Sequence, residues 1–162
     1  MKKGQKEIQF SNAQLLPEIV KLMEEGHSVT LRLRGSSMRP FLEDNRDKAL
    51  IVKALSPRVG DAVLAEVSPK HFVLHRIVDI KGDDVTLRGD GNLGTEHCKI
   101  GDVKGFVVGF YRKGRKKMDK TNGLKWRLYS AIWTRLFPIR RYLLAIYRRI
   151  KKETRPLPRP SL

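Results

Sequence analysis

The sequence predicts a mainly β protein, a small coiled antiparallel sheet or barrel with one helix in front of it and amphipathic helices behind. Two observations carry this. From Ser28 the apolar residues Val29, Leu31 and Leu33 alternate with Thr30, Arg32 and Arg34, the pattern of a strand with one wet face. Short apolar runs then recur between the turn-like breaks SPRVGD, SPK, KGDD and GDGNLG, with no long helix interleaved. Such a run of short strands suits antiparallel pairing, since parallel strands need helical crossovers.

Residues 11–25 carry Leu15, Leu16, Ile19, Val20, Leu22 and Met23 mostly on one helical face, with Ser11 or Asn12 as cap, Gly26 as stop and an irregularity expected at Pro17. After the strand that starts near Val29, further strands are expected at 48–54, 61–67, 71–80, 84–88 and 103–111. RKGRKKMDKTNG, from Arg112, is a charged linker. Behind it GLKWRLYSAIWTRLF and PIRRYLLAIYRRIKK read as two helices separated by Pro138, a residue suited to a first helical turn. The proline-containing end, ETRPLPRPSL, is expected to be extended or disordered. The domain division is therefore a helical segment at 1–27, a β core at 28–111 and a basic region at 112–162.

The 162 residues are enough for one domain with a real core. Lys and Arg number 34 against 17 Asp and Glu, and the +17 charge is concentrated: residues 112–162 carry +15 and residues 1–111 only +2. A basic region of that kind seeks polyanions: anionic lipid, nucleic acid or an acidic protein. One cysteine, Cys98, forms no internal disulfide, which fits a reducing compartment. No stretch approaches the roughly 18–20 apolar residues of a membrane span, and MKKGQKEIQF has no apolar core behind its basic residues. The expected location is cytoplasmic.

The segment GSSMRPFL, from Gly35, carries the chemistry. A nucleophilic serine needs a base within reach, donors for an oxyanion and a backbone that presents its oxygen. Gly35 lets a peptide approach closely and Pro40 restricts the backbone after the serines, although the same residues also make an ordinary polar turn. GSSMRPFL, VGDAVLAEV, FVLHRIVDI and TLRGDGN, in that order across residues 29–110, resemble the catalytic core of the signal peptidase I superfamily, which includes the self-cleaving repressor proteases. The resemblance implies a serine endopeptidase in which the serine before Met, Ser37 rather than Ser36, is the nucleophile. The bacterial enzymes and the repressor proteases carry a lysine base in the block that here reads Leu74-His75-Arg76-Ile77. The archaeal and endoplasmic-reticulum-type enzymes have histidine, so the resemblance implies a Ser/His pair with His75 as general base. Neutral imidazole accepts a proton near neutral pH without special burial.

Asp90 matches the family's Gly-Asp block, which makes it either the third group that orients the histidine or a turn residue bonded to its own backbone. Asp61 reads as a turn residue, and His27, His71 and His97 as polar positions outside the matched block. Many bacterial enzymes have a hydroxyl two residues before the nucleophile; here that position is Gly35, so the oxyanion falls to main-chain N–H groups such as that of Ser37, helped by the Ser36 hydroxyl. No spacing of histidine, cysteine and carboxylate suits a metal, and no cofactor is expected.

The resemblance also implies an extended peptide or precursor-protein substrate along a strand edge, with small side chains near the scissile bond. It implies a membrane anchor as well, and no spanning one is expected from the apolar runs seen here. The aromatic and basic residues of the last helices, among them Trp126, Arg127, Trp133, Arg135, Arg140 and Arg141, suit helices lying on anionic lipid at the inner face of a membrane. A helical hairpin packed on the β body is the other reading. Nucleic acid ranks last, for want of a recognisable motif. Two further functional readings stay open: a self-processing regulatory protein, and a non-catalytic peptide- or membrane-binding module.

Overall fold

The computed structural model describes residues 12–44 and 46–153. The expected cap at Ser11, the basic first residues and the proline-containing end from Thr154 lie outside the described residues. Helix α1 (Asn12–Glu24) runs through Pro17 as one helix. It buries Leu16, Ile19 and Met23, whose spacing of three and four places them on one face. It ends where the Gly26 N–H donates to the Met23 carbonyl and the His27 N–H to that of Leu22, each at 3.0 Å, a closure that satisfies the last carbonyls of a helix.

The strands are β1 (Val29–Arg32), β2 (Lys48–Lys53), β3 (Ala62–Ser68), β4 (His71–Lys81), β5 (Asp84–Arg88), β6 (Glu96–Lys99), β7 (Val103–Tyr111) and β8 (Asp119–Lys120). They form one antiparallel sheet in the order β1-β2-β7-β3-β4-β5-β6, with β8 paired to Gly109 and Phe110 at the end of β7. Of the alternatives left open by the sequence, the sheet rather than the closed barrel is found. Helices α2 (Leu124–Arg135) and α3 (Arg140–Glu153) follow, joined by a 3-10 turn, Phe137–Ile139, that holds Pro138. Pro138 thus sits one turn ahead of the second helix rather than inside it.

Alternation along the strands divides the core into two clusters. One gathers α1, β2, β7 and α2 through Met23, Phe41, Ile51, Phe110 and Trp126; the other gathers Val63, Ala65, Ile77, Val85, Leu87 and Val103. The long strand β4 serves both. Its first half pairs with β3 and its second with β5, and Arg76 has a partner on each side, Ala62 and Arg88. Covered on both faces at this crossing, His75, Arg76 and Ile77 are all buried. A histidine and an arginine on consecutive positions of a buried strand point to opposite faces, and each needs its own polar partner.

Candidate active site

The serine loop, residues 33–47, is pinned at several points. Met38, Phe41 and Leu42 are buried in the first cluster, a three-and-four spacing continued by the Leu42 N–H bond to the Met38 carbonyl at 3.1 Å. Phe41 packs on Phe110, Trp126 and Tyr129 with ring centroids 6.2, 5.0 and 4.7 Å away. Asp44 Oδ1 accepts the Gly35 N–H at 2.8 Å. Asp47, fully buried, accepts from Glu43 N–H at 3.0 Å and from the Arg46 guanidinium at 2.7 and 2.6 Å. Burial pushes the Asp47 carboxyl up, but these donors outweigh it and hold the group below its ordinary pKa.

On this frame Ser37 is half-buried and Ser36 exposed. The N–H groups of Ser36, Ser37 and Met38 and the Ser37 hydroxyl make no hydrogen bond among the described residues. The expected oxyanion donor, the Ser37 N–H, is thus unspent. Gly35, by contrast, gives its N–H to Asp44 and acts as loop support.

The turn after β5 locks onto the serine backbone. The Gly91 N–H donates to the Ser37 carbonyl at 2.7 Å. A Cβ on Gly89 would collide with the Ser37 carbonyl oxygen, and one on Gly91 with that of Ser36. The glycines on either side of Asp90 are therefore required by close approach of two backbones.

His75 is 4 % exposed. Its Nδ1 stands 2.7 Å from Glu96 Oε2, a carboxylate at the start of β6. The contact has ion-pair distance, without the alignment of a well-formed hydrogen bond. The sheet register explains it: Ile77 pairs with Leu87 and Leu87 with Glu96, so Glu96 shares the face on which His75 lies two residues before Ile77. Burial lowers the His75 pKa below its ordinary 6.5, and the Glu96 carboxylate offsets this only in part. It is Nδ1 that lacks an aligned hydrogen bond; none is seen from Nε2 among the described residues, and none joins His75 to Ser37. The other histidines are not buried with it: His71 and His27 are exposed, the charge of His71 adding to the lowering of the His75 pKa, and His97 Nδ1 lies 3.3 Å from Thr86 Oγ1.

Asp90 is also buried, and its carboxylate is spent elsewhere. Arg76 holds it with two bonds, Nε to Oδ1 at 2.9 Å and Nη2 to Oδ2 at 2.8 Å, and the Tyr129 hydroxyl donates to Oδ2 at 3.0 Å. Arg76 Nη1 also donates to Ser130 Oγ at 2.6 Å and to the Gly60 carbonyl at 3.1 Å, and its guanidinium lies 4.7 Å from the Trp126 ring. Burial and the neighbouring Asp90 push the Tyr129 phenol far above its ordinary pKa. The carboxylate against the histidine is thus Glu96, which sequence reasoning passed over, and the expected Asp90 instead completes a buried ion pair under α2. Asp61 Oδ2 accepts the Arg58 N–H at 2.8 Å, the turn role expected for it.

Three residues expected at a lipid surface face the protein. Trp126 and Trp133 are buried, and Trp133 Nε1 donates to the Asp90 carbonyl at 2.9 Å. Arg140 is buried too, its Nη2 donating to the Trp133 carbonyl at 2.8 Å. Their aromatic and cationic surface is used to seat α2 and α3. Arg127, Arg135 and Arg141 are exposed. Exposed apolar residues occupy another face at intervals of four: Leu124, Leu128 and Ile132 on α2, and Tyr142, Ile146 and Ile150 on α3.

Helix α3 also grips the serine loop. Glu43 receives the Tyr147 hydroxyl, lies 2.9 Å from Lys151 Nζ and 3.4 Å from Arg39 Nη2. Burial raises the Glu43 pKa, but Lys151, Tyr147 and Arg39 together hold it below the ordinary carboxylate value, and the Tyr147 phenol is pushed up to about 12 by burial and by Glu43.

No helix among the described residues is long and apolar enough to cross a membrane. No protein-family model matches the chain, and no curated protein matches it.

Proposed function

We propose that the chain is a serine endopeptidase with Ser37 as nucleophile, His75 as general base and Glu96 as the carboxylate that steadies the imidazole. The observation that carries this reading is the environment of His75: a buried imidazole biased toward its neutral form, a carboxylate at Nδ1, and Nε2 without a hydrogen bond among the described residues. A general base needs an unprotonated ring nitrogen free to take the proton, and a carboxylate at the other nitrogen orients the ring and stabilises the imidazolium. Ser37 Oγ attacks the peptide carbonyl carbon and its proton passes to His75. The C–N bond breaks, and the amine leaves with that proton. Water then attacks the Ser37 ester, giving a proton to His75, and the acid product departs as the serine oxygen is reprotonated. The N–H groups of Ser37 and Met38, which make no hydrogen bond among the described residues, are the donors for the oxyanion.

The second element of the proposal is location, a cytoplasmic protein held peripherally on the anionic inner face of a membrane. The exposed apolar residues of α2 and α3, set in a region of +15 charge, support it.

The test of the chemistry is cleavage of extended reporter peptides with small residues at the scissile bond. Ser37→Ala abolishes cleavage and Ser36→Ala retains much of it. Equal loss from both overturns the assignment of the nucleophile.

A further inference from the structure

We propose that a cleft beside this site is a specificity pocket for an acidic side chain of the substrate, with Arg148 as the residue that reads it; the inference rests on the peptidase reading. The cleft has a volume of about 390 Å³ and lies between the loop 91–96 and Arg148 of α3. One end of the loop, Gly91, is bonded to the Ser37 carbonyl, and the other, Glu96, is the carboxylate on His75. The cleft therefore runs along the segment that joins the Ser37 backbone to the carboxylate on His75.

Charge decides what it takes. Only two lining residues are ionisable, Glu96 and Arg148. Glu96 lies at the His75 end of the cleft, its Oε2 buried 2.7 Å from Nδ1. Arg148 is exposed and makes no ion pair among the described residues, while Tyr147 and Lys151, on either side of it, are bound to Glu43. The helix backbone is fixed on the serine loop, and the guanidinium projects from it unspent. A guanidinium pairs with a carboxylate through two parallel bonds and has no lone pair to offer a basic substrate. The rest of the lining is neutral, including Asn92 and Thr95. An acidic residue on the Arg148 side of the cleft is favoured, and a lysine or arginine there meets repulsion.

The test uses full-length protein and peptides identical except for Glu, Gln or Lys at each position flanking the scissile bond. At one position the Glu peptide has a kcat/KM about tenfold or more above the Lys peptide. Arg148→Glu reverses that order and Arg148→Gln levels it. Lys117→Glu, an equal change of net charge on the linker away from the cleft, leaves the order unchanged. Cleavage that ignores charge at every position, or an order that Lys117→Glu shifts as much as Arg148→Glu, overturns the pocket and leaves the peptidase reading standing. If no peptide is cleaved, that reading fails first, and fluorescence anisotropy with the same peptides decides the pocket: tighter binding of the Glu peptide, lost in Arg148→Glu, upholds it, and indifference overturns it.

Discussion

A histidine sealed in a sheet resists the proton that a solvated one takes up, and this sets how His75 responds to pH. Its pKa is lowered by burial, with Glu96 pulling partly the other way. With saturating peptide the rate should rise with pH along an acid limb centred below 6.5. Stability follows the same sign: the unfolded chain binds the proton that folded His75 refuses, so this contribution is complete above the unfolded value and is lost as pH falls toward the folded one. Glu96→Gln should move the limb further toward acid and cut kcat by roughly 10²-fold or more, because the imidazolium formed in the transition state loses its counter-charge. Asp90→Asn should instead cost about 3–5 kcal/mol in a denaturant titration by stranding buried Arg76. Should Asp90→Asn shift the acid limb more than Glu96→Gln, the two roles are exchanged. Ser37 and His75 were proposed from the sequence because their blocks carry local identity. Glu96 was not: it meets His75 only through two successive strand pairings, and nothing local in EHCK marks it.

Among elements, the serine loop is the one on which the others converge: α1 and α2 through the first core cluster, α3 through Glu43, and the 89–91 turn through its backbone. The turn is the most sensitive support, since its glycines touch peptide oxygens that cannot yield as a flexible side chain would. Gly91→Ala should displace the Ser36–Ser37 backbone, costing about 1–3 kcal/mol of stability and most of the activity. Gly101→Ala, where an added Cβ meets nothing, should leave both intact. Equal activity in the two variants would remove the turn from the account. Most strands were readable from period and punctuation, within a residue or two of their ends. The strands that escaped, β6 and β8, are four and two residues long and lack an apolar alternation. They exist because β5 and β7 offer them an edge.

For the whole molecule the governing fact is the division between a nearly neutral body and a basic C-terminal region. The amphipathic helices were legible, but which face turns inward was not. Trp126 and Trp133 satisfy both readings in sequence, and only their packing on Arg76 and Asp90 places them in the core. The remaining outer faces should bind vesicles containing anionic lipid and ignore zwitterionic ones, with salt weakening the attraction as the screening length shortens to about 8–10 Å at 0.1–0.15 M. Ile146→Asp and Ile150→Asp should abolish sedimentation with vesicles while peptide cleavage in solution persists. Sedimentation indifferent to lipid charge would contradict this surface.

The measurement that bears most directly on the central claim is intact mass after exposure to a serine-directed acylating probe, followed by peptide mapping. One adduct should form, on Ser37; it should be absent in Ser37→Ala, retained in Ser36→Ala, and formed with a rate that rises through the same acid limb as peptide cleavage. No adduct at any pH, or an adduct whose rate is unchanged in His75→Ala, would contradict a Ser37–His75 catalytic pair.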